Sequence, residues 1–518
     1  MVLVDFTGFA YKICWLFAIK SCFMRQRFEQ QLSLRSVAIQ DIKIPLKSRD
    51  ELPAVVKGLQ YIFMTPELNE KVFSLLESKI SRGKNKTGRR GMHLWHILVL
   101  AVVRHSVDTN WDRLEMMANY DIFVRQIMGV HCTGFLSGEE KIEFSYQTIL
   151  DNVSLIDEVL LAEVNQLVVE AGHQLLKKKE GEEAFRLKTD SYVLETNVHF
   201  PTDLNLLWDS SRKCLDVVEC LLKLTGLKGW RKIKHIYRTL KSQFRKTSHQ
   251  VFKGKNEAQK KQYVKEYLKQ ATQLLKRCEE LIQHPPVATG AGLKVAILML
   301  ELGRYCDFLK KFTDQIARRL IKEETIPAEE KIFSIFEEHT EWITKGKLNK
   351  KVELGHLILI TTDQHHFIVD YKIMEGEKDA SQIKDLNERL KTKFANRTIF
   401  SHSFDKGFYS KANLEVLQQS GVEHVVLPKK GRLNKEDKQR ESDKKFKELR
   451  HAHSAVESNI NMLEHHGLNR CMDKGLHGYK RCVGLSVLAY NLHQLGNALL
   501  AKERKEADKK QSSVARAA

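Results

Sequence analysis

The spacing of hydrophobic positions changes along the chain, and those changes divide it. From residue 24 to about 175 the apolar residues recur mainly at helical intervals. Pro66-Glu-Leu-Asn-Glu opens one helix, with proline early and acids in the first turn. Leu94-Trp-His-Ile-Leu-Val-Leu-Ala-Val-Val is too apolar for an exposed face and predicts a core helix. Short amphipathic pieces follow at Trp111 and Phe123. Behind the basic, glycine-punctuated stretch 81–90, these helices suit a helix-turn-helix or a helical support domain.

Near Phe185 the pattern turns to alternation. Arg186-Leu-Lys-Thr-Asp-Ser-Tyr-Val-Leu, rich in β-branched and aromatic residues, predicts a strand, and Pro201 turns the chain. Helix returns over 204–340. Strands resume at 356–362 and 367–374, with Asp363-Gln-His-His as a hairpin turn. An amphipathic helix at 379–394 precedes a buried strand at 397–404, which ends in Asp405-Lys-Gly407. A helix at 411–419, a strand at 424–427, a polar helix from 435 to about 464 and an apolar helix at 483–492 complete the series. The apolar helix should pack on the sheet, and the charged tail from Lys502 predicts disorder. The fold class is α/β: one mixed sheet whose first strand is separated from the others by a long helical insertion. The expected division is an extension at 1–23, a helical N-terminal domain at 24–178, the first part of the core at 179–204, a basic insertion at 205–345, the rest of the core at 346–501 and a tail at 502–518.

Charge narrows the partner. The 518 residues carry 85 Lys and Arg against 65 Asp and Glu, a net +20. Such an excess points to a polyanion. The stretch 221–280 holds 17 cations and 4 acids, too few acids to neutralise it internally. Arg231, Lys232, Lys234, Arg238, Lys241, Arg245 and Lys246 are its candidate phosphate contacts. Duplex DNA fits better than a membrane surface, for which no anchor is apparent. The aromatics among these cations fit the buried face of amphipathic helices better than base-stacking platforms. An apolar content of 42% excludes a wholly disordered chain. Nine cysteines, an odd number without a C-x-x-C, argue against a disulfide framework or a zinc ribbon and for the cytoplasm. Asp5, Lys12 and Lys20 interrupt the apolar first 23 residues, which fit neither a membrane span nor a signal peptide. They read as a poorly ordered or accidental extension, with Met24 the better start.

Three acids stand where chemistry could gather. Asp190 lies in the first strand, Asp405 at the end of a later one, and Glu457 in a late helix. Strand ends beside a helix are where open sheets assemble sites. Three clustered carboxylates repel by about 4 kcal/mol per pair at about 4 Å and an effective dielectric near 20, which divalent cations relieve. All-oxygen ligation selects Mg²⁺ or Mn²⁺, and two such ions activate water or a 3′-hydroxyl and stabilise the departing oxygen of a phosphodiester. Asp363 and Asp370 are weaker rivals for the second position, one in a turn and one within a strand. Neither a Walker loop nor a dinucleotide fingerprint occurs. The adjacent pairs His365-His366 and His465-His466 diverge and do not suggest a closed metal site.

The contexts of the acids carry a resemblance. Thr189-Asp190-Ser191 with Glu195-Thr-Asn-Val-His-Phe-Pro-Thr-Asp203, then Ser403-Phe-Asp405-Lys-Gly-Phe-Tyr-Ser, then His451-Ala-His-Ser-Ala-Val-Glu457-Ser-Asn-Ile-Asn with Gly467-Leu-Asn-Arg-Cys471 resemble, in order, the two aspartate segments and the glutamate helix of bacterial DDE transposases. The chain looks most like the ISNCY-type group of insertion-sequence transposases, from about Met24 to Asn491-Leu-His. The resemblance implies an RNase H-like core with Asp190, Asp405 and Glu457 as ligands of two Mg²⁺ ions. It also implies terminal-repeat DNA and target DNA as partners, strand transfer as the reaction, and at least a homodimer to hold two ends. Some relatives carry Tyr-x-x-Arg-x-x-x-Glu-x-x-x-x-x-x-Lys around the glutamate. Arg450, His453 and Glu464 occupy the Tyr, Arg and Lys positions here, so only Glu457 fits. His453, one helical turn before it, either replaces the Arg as a DNA contact or is a surface histidine. A nuclease with the same core but no strand transfer, or a decayed DNA-binding remnant, are the alternatives.

Overall fold

A computed structural model of the chain describes residues 23–24, 27–30, 37–80, 89–130, 142–176, 184–286, 292–344, 351–395 and 397–517. Nearly all of the extension at 1–23 lies outside them. The chain forms two compact units, one of residues 21–197 with 343–518 and one comprising the described residues 198–342.

The first unit is built on a mixed sheet. Its strands include β1 (Phe185–Thr196), β2 (Val352–Thr362), β3 (Ile368–Met374), β4 (Ile399–Phe404), β5 (His424–Val426) and the two-residue β6 (Arg470–Cys471). The main order is β3-β2-β1-β4-β5, with β1 central. β2 runs antiparallel to β1 and β3, while β4 is parallel to β1 and β5 is parallel to β4. The hairpin expected at Asp363 joins β2 to β3. Asp363 fastens it by accepting from the backbone N–H of His365 at 2.8 Å and of Phe367 at 2.9 Å.

Helices cover both faces of the sheet. The N-terminal region supplies α1 (Leu52–Met64), α2 (Pro66–Ile80), α3 (Leu94–Ser106), α4 (Trp111–Tyr120), α5 (Ile122–Ile127), α6 (Tyr146–Val153) and α7 (Glu158–Leu176). Every residue of α3 is buried, as its unbroken apolar run predicts. These helices share one core with Phe185, Leu187, Leu359, Phe367 and Phe404, on one side of the sheet. The other side, carrying Tyr192, Leu194, Ile358 and Ile360, packs on Val483, Val487 and Tyr490 of the C-terminal helix Gly475–Ala517. Leu485, Leu488, Leu492 and Leu495 of that helix join the N-terminal core. Its middle is therefore sandwiched, which explains an apolar run without a polar face. A Cβ on Gly496 would lie 1.8 Å from Ala54 O, so only glycine permits the crossing with α1. Asn491 is the polar exception. Its side chain accepts from Ile368 N–H at 2.9 Å and donates to Ile368 O at 2.9 Å and Asn165 Oδ1 at 2.7 Å, clamping β3 to α7. The C-terminal helix continues to Ala517, through the segment for which a disordered tail is expected. Its Ala, Lys, Glu and Arg residues are strong helix formers and prolong a helix already nucleated.

The second unit contains α8 (Asp203–Thr225), α9 (Ile233–Lys253), α10 (Glu257–Gln283) and α11 (Gly292–Ile316), with an irregular return to residue 342. Thr202 and Asn256 cap α8 and α10, and Gly226 ends α8 in the left-handed region at φ 63°. Trp230 and Tyr267 are buried, and Trp208 stacks on Phe244 at 5.7 Å and meets Tyr237 edge-on. The aromatics among the cations are thus largely core, with Phe252 exposed.

Candidate active site

Register brings the two aspartates together. Thr189 of β1 pairs with Phe404 of β4 in the parallel ladder, and Lys188 with Ser403. The next residues are Asp190 and Asp405. The backbone of Asp405 is still extended, at φ −75° and ψ 164°, so it continues the alternation of β4. Asp190 and Asp405 therefore occupy neighbouring strands on one face, about 4.8 Å apart between backbones. Lys188 and Ser403 precede them on that face. Thr189, Phe404 and His402 point to the other, where Thr189 Oγ1 lies 2.8 Å from both His402 Nε2 and Thr361 Oγ1.

Gly407 follows Asp405 by two residues. Gly407 is not among the glycines with positive φ. A Cβ there would instead lie 3.0 Å from Asp379 Oδ2, so the glycine provides clearance.

Glu457 arrives on a helix above the strand ends. The polar segment after residue 435 breaks into α12 (Lys435–Ser442), α13 (Lys444–His453) and α14 (Ala455–Leu463). Phe446 and Leu449 anchor α13 on Val426 of β5. That contact carries His453 over β4, where its Nδ1 lies 3.0 Å from Ser403 Oγ. Ser403 Oγ also donates to Leu187 O at 3.3 Å. Both contacts hold Ser403 and the His453 ring in place. Nε2 is shut off from solvent and has no partner. Burial lowers His453 to about 4, against the opposing pull of Asp405. It is therefore neutral at pH 7, neither a solvated surface group nor a cation able to neutralise phosphate as an arginine would. Glu457 follows four residues later, exposed, in the first turn of α14. Ser454, in the right-handed helical region at φ −56° and ψ −21°, joins the two helices. Val456 and Leu463 face the core, and Asn459 Oδ1 accepts from Tyr490 Oη at 3.1 Å, fixing the helix from behind.

Asp190 and Asp405 are brought together by strand register, and Glu457 lies on α14. Among the described residues, the set of three potential metal ligands with donor atoms all within 4.8 Å of one another is a different one, Cys214, Cys278 and Cys306. A two-ion site needs each acid to reach only one ion of a pair about 3.5–4 Å apart. The donor set is all oxygen, accessible at Asp405 and Glu457 and partly so at Asp190, and it fits Mg²⁺ or Mn²⁺.

The rival acids are otherwise engaged. Asp363 is fully buried, holds its turn and pairs with His173 Nε2. Asp370 is equally buried and pairs with Arg389 at 2.7 Å and with Lys393. Lys188, by contrast, shares the face of Asp190 and was not singled out by the sequence pattern alone. Its position two residues before Asp190 in an alternating strand is the signal that could have found it. Burial lowers its ammonium below the ordinary lysine range, with Asp363 opposing.

The candidate DNA contacts belong to the second unit. Arg231, Lys232, Lys234, Arg238, Arg245 and Lys246 are exposed, and Lys241 is partly so, 5.6 Å from the Tyr237 ring. Among the described residues no ion pair engages these seven. No helix of the described residues is long and apolar enough to cross a membrane.

Residues 323–492 are similar to the transposase DDE domain family. The matched stretch contains Asp405, His453, Glu457 and Asn491, and Asp190 lies upstream of it. No curated protein and no solved structure matches the chain.

Proposed function

We propose that the chain is a DNA transposase with an RNase H-like core, in which Asp190, Asp405 and Glu457 are the metal-binding catalytic acids. The observation that carries this reading is the Thr189–Phe404 pairing, which makes Asp190 and Asp405 neighbours on one face. The similarity of residues 323–492 to the transposase DDE domain gives that geometry its chemistry. When bound, a pair of Mg²⁺ ions supplies Lewis-acid activation of water or a 3′-hydroxyl and stabilisation of the leaving oxygen. The chain's own residues prepare the site. Lys188 sets a positive charge beside Asp190 for an incoming phosphate. Ser403 orients His453, which burial keeps neutral beside the strand ends. The basic unit supplies sequence-independent phosphate contacts through Arg231, Lys232, Lys234, Arg238, Lys241, Arg245 and Lys246. The protein acts in the cytoplasm on nucleoid DNA. It binds the terminal repeats of its element, frees 3′-hydroxyl ends and joins them to target DNA, as at least a homodimer because two ends must be held.

The test is an in vitro reaction with Mg²⁺, labelled element ends and a target plasmid. Labelled ends covalently joined to the plasmid by wild type, and not by Asp405→Asn, are the expected result. Cleaved fragments without joining would assign a nuclease instead, and no reaction with any divalent metal would mark a DNA-binding remnant.

A further inference from the structure

The basic unit carries a second cluster with chemistry of its own. Cys214 on α8, Cys278 on α10 and Cys306 on α11 meet inside the bundle, their sulfurs all within 4.8 Å of one another. Cys214 and Cys278 are 0% exposed and Cys306 is 5% exposed. Burial alone means little, because cysteine packs well as a small apolar residue. Convergence means more: three helices each aim the same soft donor at one point. Three sulfurs around one ion, with bonds of about 2.3 Å, stand about 4 Å apart. A disulfide would use only two of them, and all three are free thiols.

Electrostatics gives the same reading. Hydrogen bonds from Cys214 and Cys278 draw Cys306 down, while hydrogen bonding to Cys278 and Cys306, with burial, drives Cys214 well above the ordinary thiol range. Three buried thiolates side by side repel one another unless a cation joins them. Arg277 provides partial compensation, since its charge favours the Cys278 thiolate. Its guanidinium is fixed 4.1 Å from the Trp230 ring and donates to Gly229 O at 2.9 Å. A divalent ion with three thiolates carries a net charge of −1, which this guanidinium offsets.

We propose that Cys214, Cys278 and Cys306 bind one thiophilic d¹⁰ cation, Zn²⁺ or Cu⁺, that ties α8, α10 and α11 together. Binding displaces the thiol protons, up to three per ion, so affinity rises with pH. The site is separate from the phosphodiester chemistry. It makes the stability of the basic bundle, and hence of its cationic surface on α9, depend on metal supply.

The test uses the full-length protein, reduced, stripped of metal and kept free of oxygen. Cd²⁺, as a spectroscopic substitute for Zn²⁺, and Cu⁺ are titrated in separate arms while the ultraviolet thiolate-to-metal absorption is followed. One equivalent should saturate the band in at least one arm. The loaded chain should melt at a higher temperature than the stripped chain, and a chelator should reverse the shift. Cys306→Ala should weaken binding by at least about 100-fold, and Cys220→Ala, at an exposed position on α8, should leave it unchanged. If Cys306→Ala does not fold, the wild-type stoichiometry and the chelator-reversible melting shift decide. The assignment fails if neither ion produces a band, if Cys306→Ala binds as wild type does, or if the reduced chain melts identically with and without metal.

Discussion

Asp190 and Asp405 each follow one member of a directly paired couple, Thr189 and Phe404, on parallel neighbouring strands. Adjacent strands lie about 4.8 Å apart, and residues in register share a face. The two carboxylates are thus neighbours by backbone geometry alone, whatever their side-chain rotamers. Asp190→Asn and Asp405→Asn should each lower strand transfer by on the order of 10³-fold or more, while the melting temperature holds or rises as repulsion is relieved. Loss of activity accompanied by global unfolding would assign these acids to the fold.

His453 should act through position. Its Nδ1 contact with Ser403 fixes the ring over the strand ends, and burial keeps it neutral. His453→Ala should cost about 10–100-fold in turnover, as is usual for groups that orient a metal site. His453→Arg, which restores the residue type of the related pattern, should not rescue it, because a larger, permanently charged guanidinium does not suit a buried, neutral position. Full activity in the arginine variant would show that a cation is what the position requires.

The basic unit should govern affinity and its salt dependence. Reversing Lys234, Arg238 and Arg245 to glutamate should weaken duplex DNA binding regardless of sequence. The slope of log affinity against log salt should flatten by about 0.9 for each phosphate that is no longer neutralised. Binding titrations at several salt concentrations test this, and an unchanged slope would remove these residues from the interface.

Buried histidines should make the first unit acid-sensitive. Burial lowers His105 and His402 to about 3, far below their ordinary value. A depressed folded-state value means that stability is complete above the unfolded value, near 6.5, and is lost as pH falls from there toward about 3. At pH 5.5 each histidine should cost about 1.4 kcal/mol relative to pH 8. Denaturant titrations at the two pH values, repeated with His402→Gln, should show a smaller pH dependence in the variant.

Asn491 should be a stability residue despite lying in a stretch that resembles a transposase motif. Asn491→Ala leaves the Ile368 amide and carbonyl buried without their partners. A destabilisation of about 3 kcal/mol is expected, measured by denaturant unfolding.

Sequence by itself determined what short-range pattern can encode. The alternation around Asp190, the hairpin at Asp363, the buried run of α3 and the unbroken apolar stretch of the last helix are set by neighbours a few positions away, and the structure has them. The candidate acids were legible because each sits in a local context with its own signature. Tertiary structure decided what depends on residues far apart in the chain. It set the Thr189–Phe404 register, consumed Asp363 and Asp370 in buried pairing, and turned His453 neutral by burying it. It also gathered Cys214, Cys278 and Cys306, which share no motif because each comes from a different helix. Periodicity fixes which side of an element is buried. Register, protonation and convergence follow only when separate elements meet, because they are set by distances across the fold.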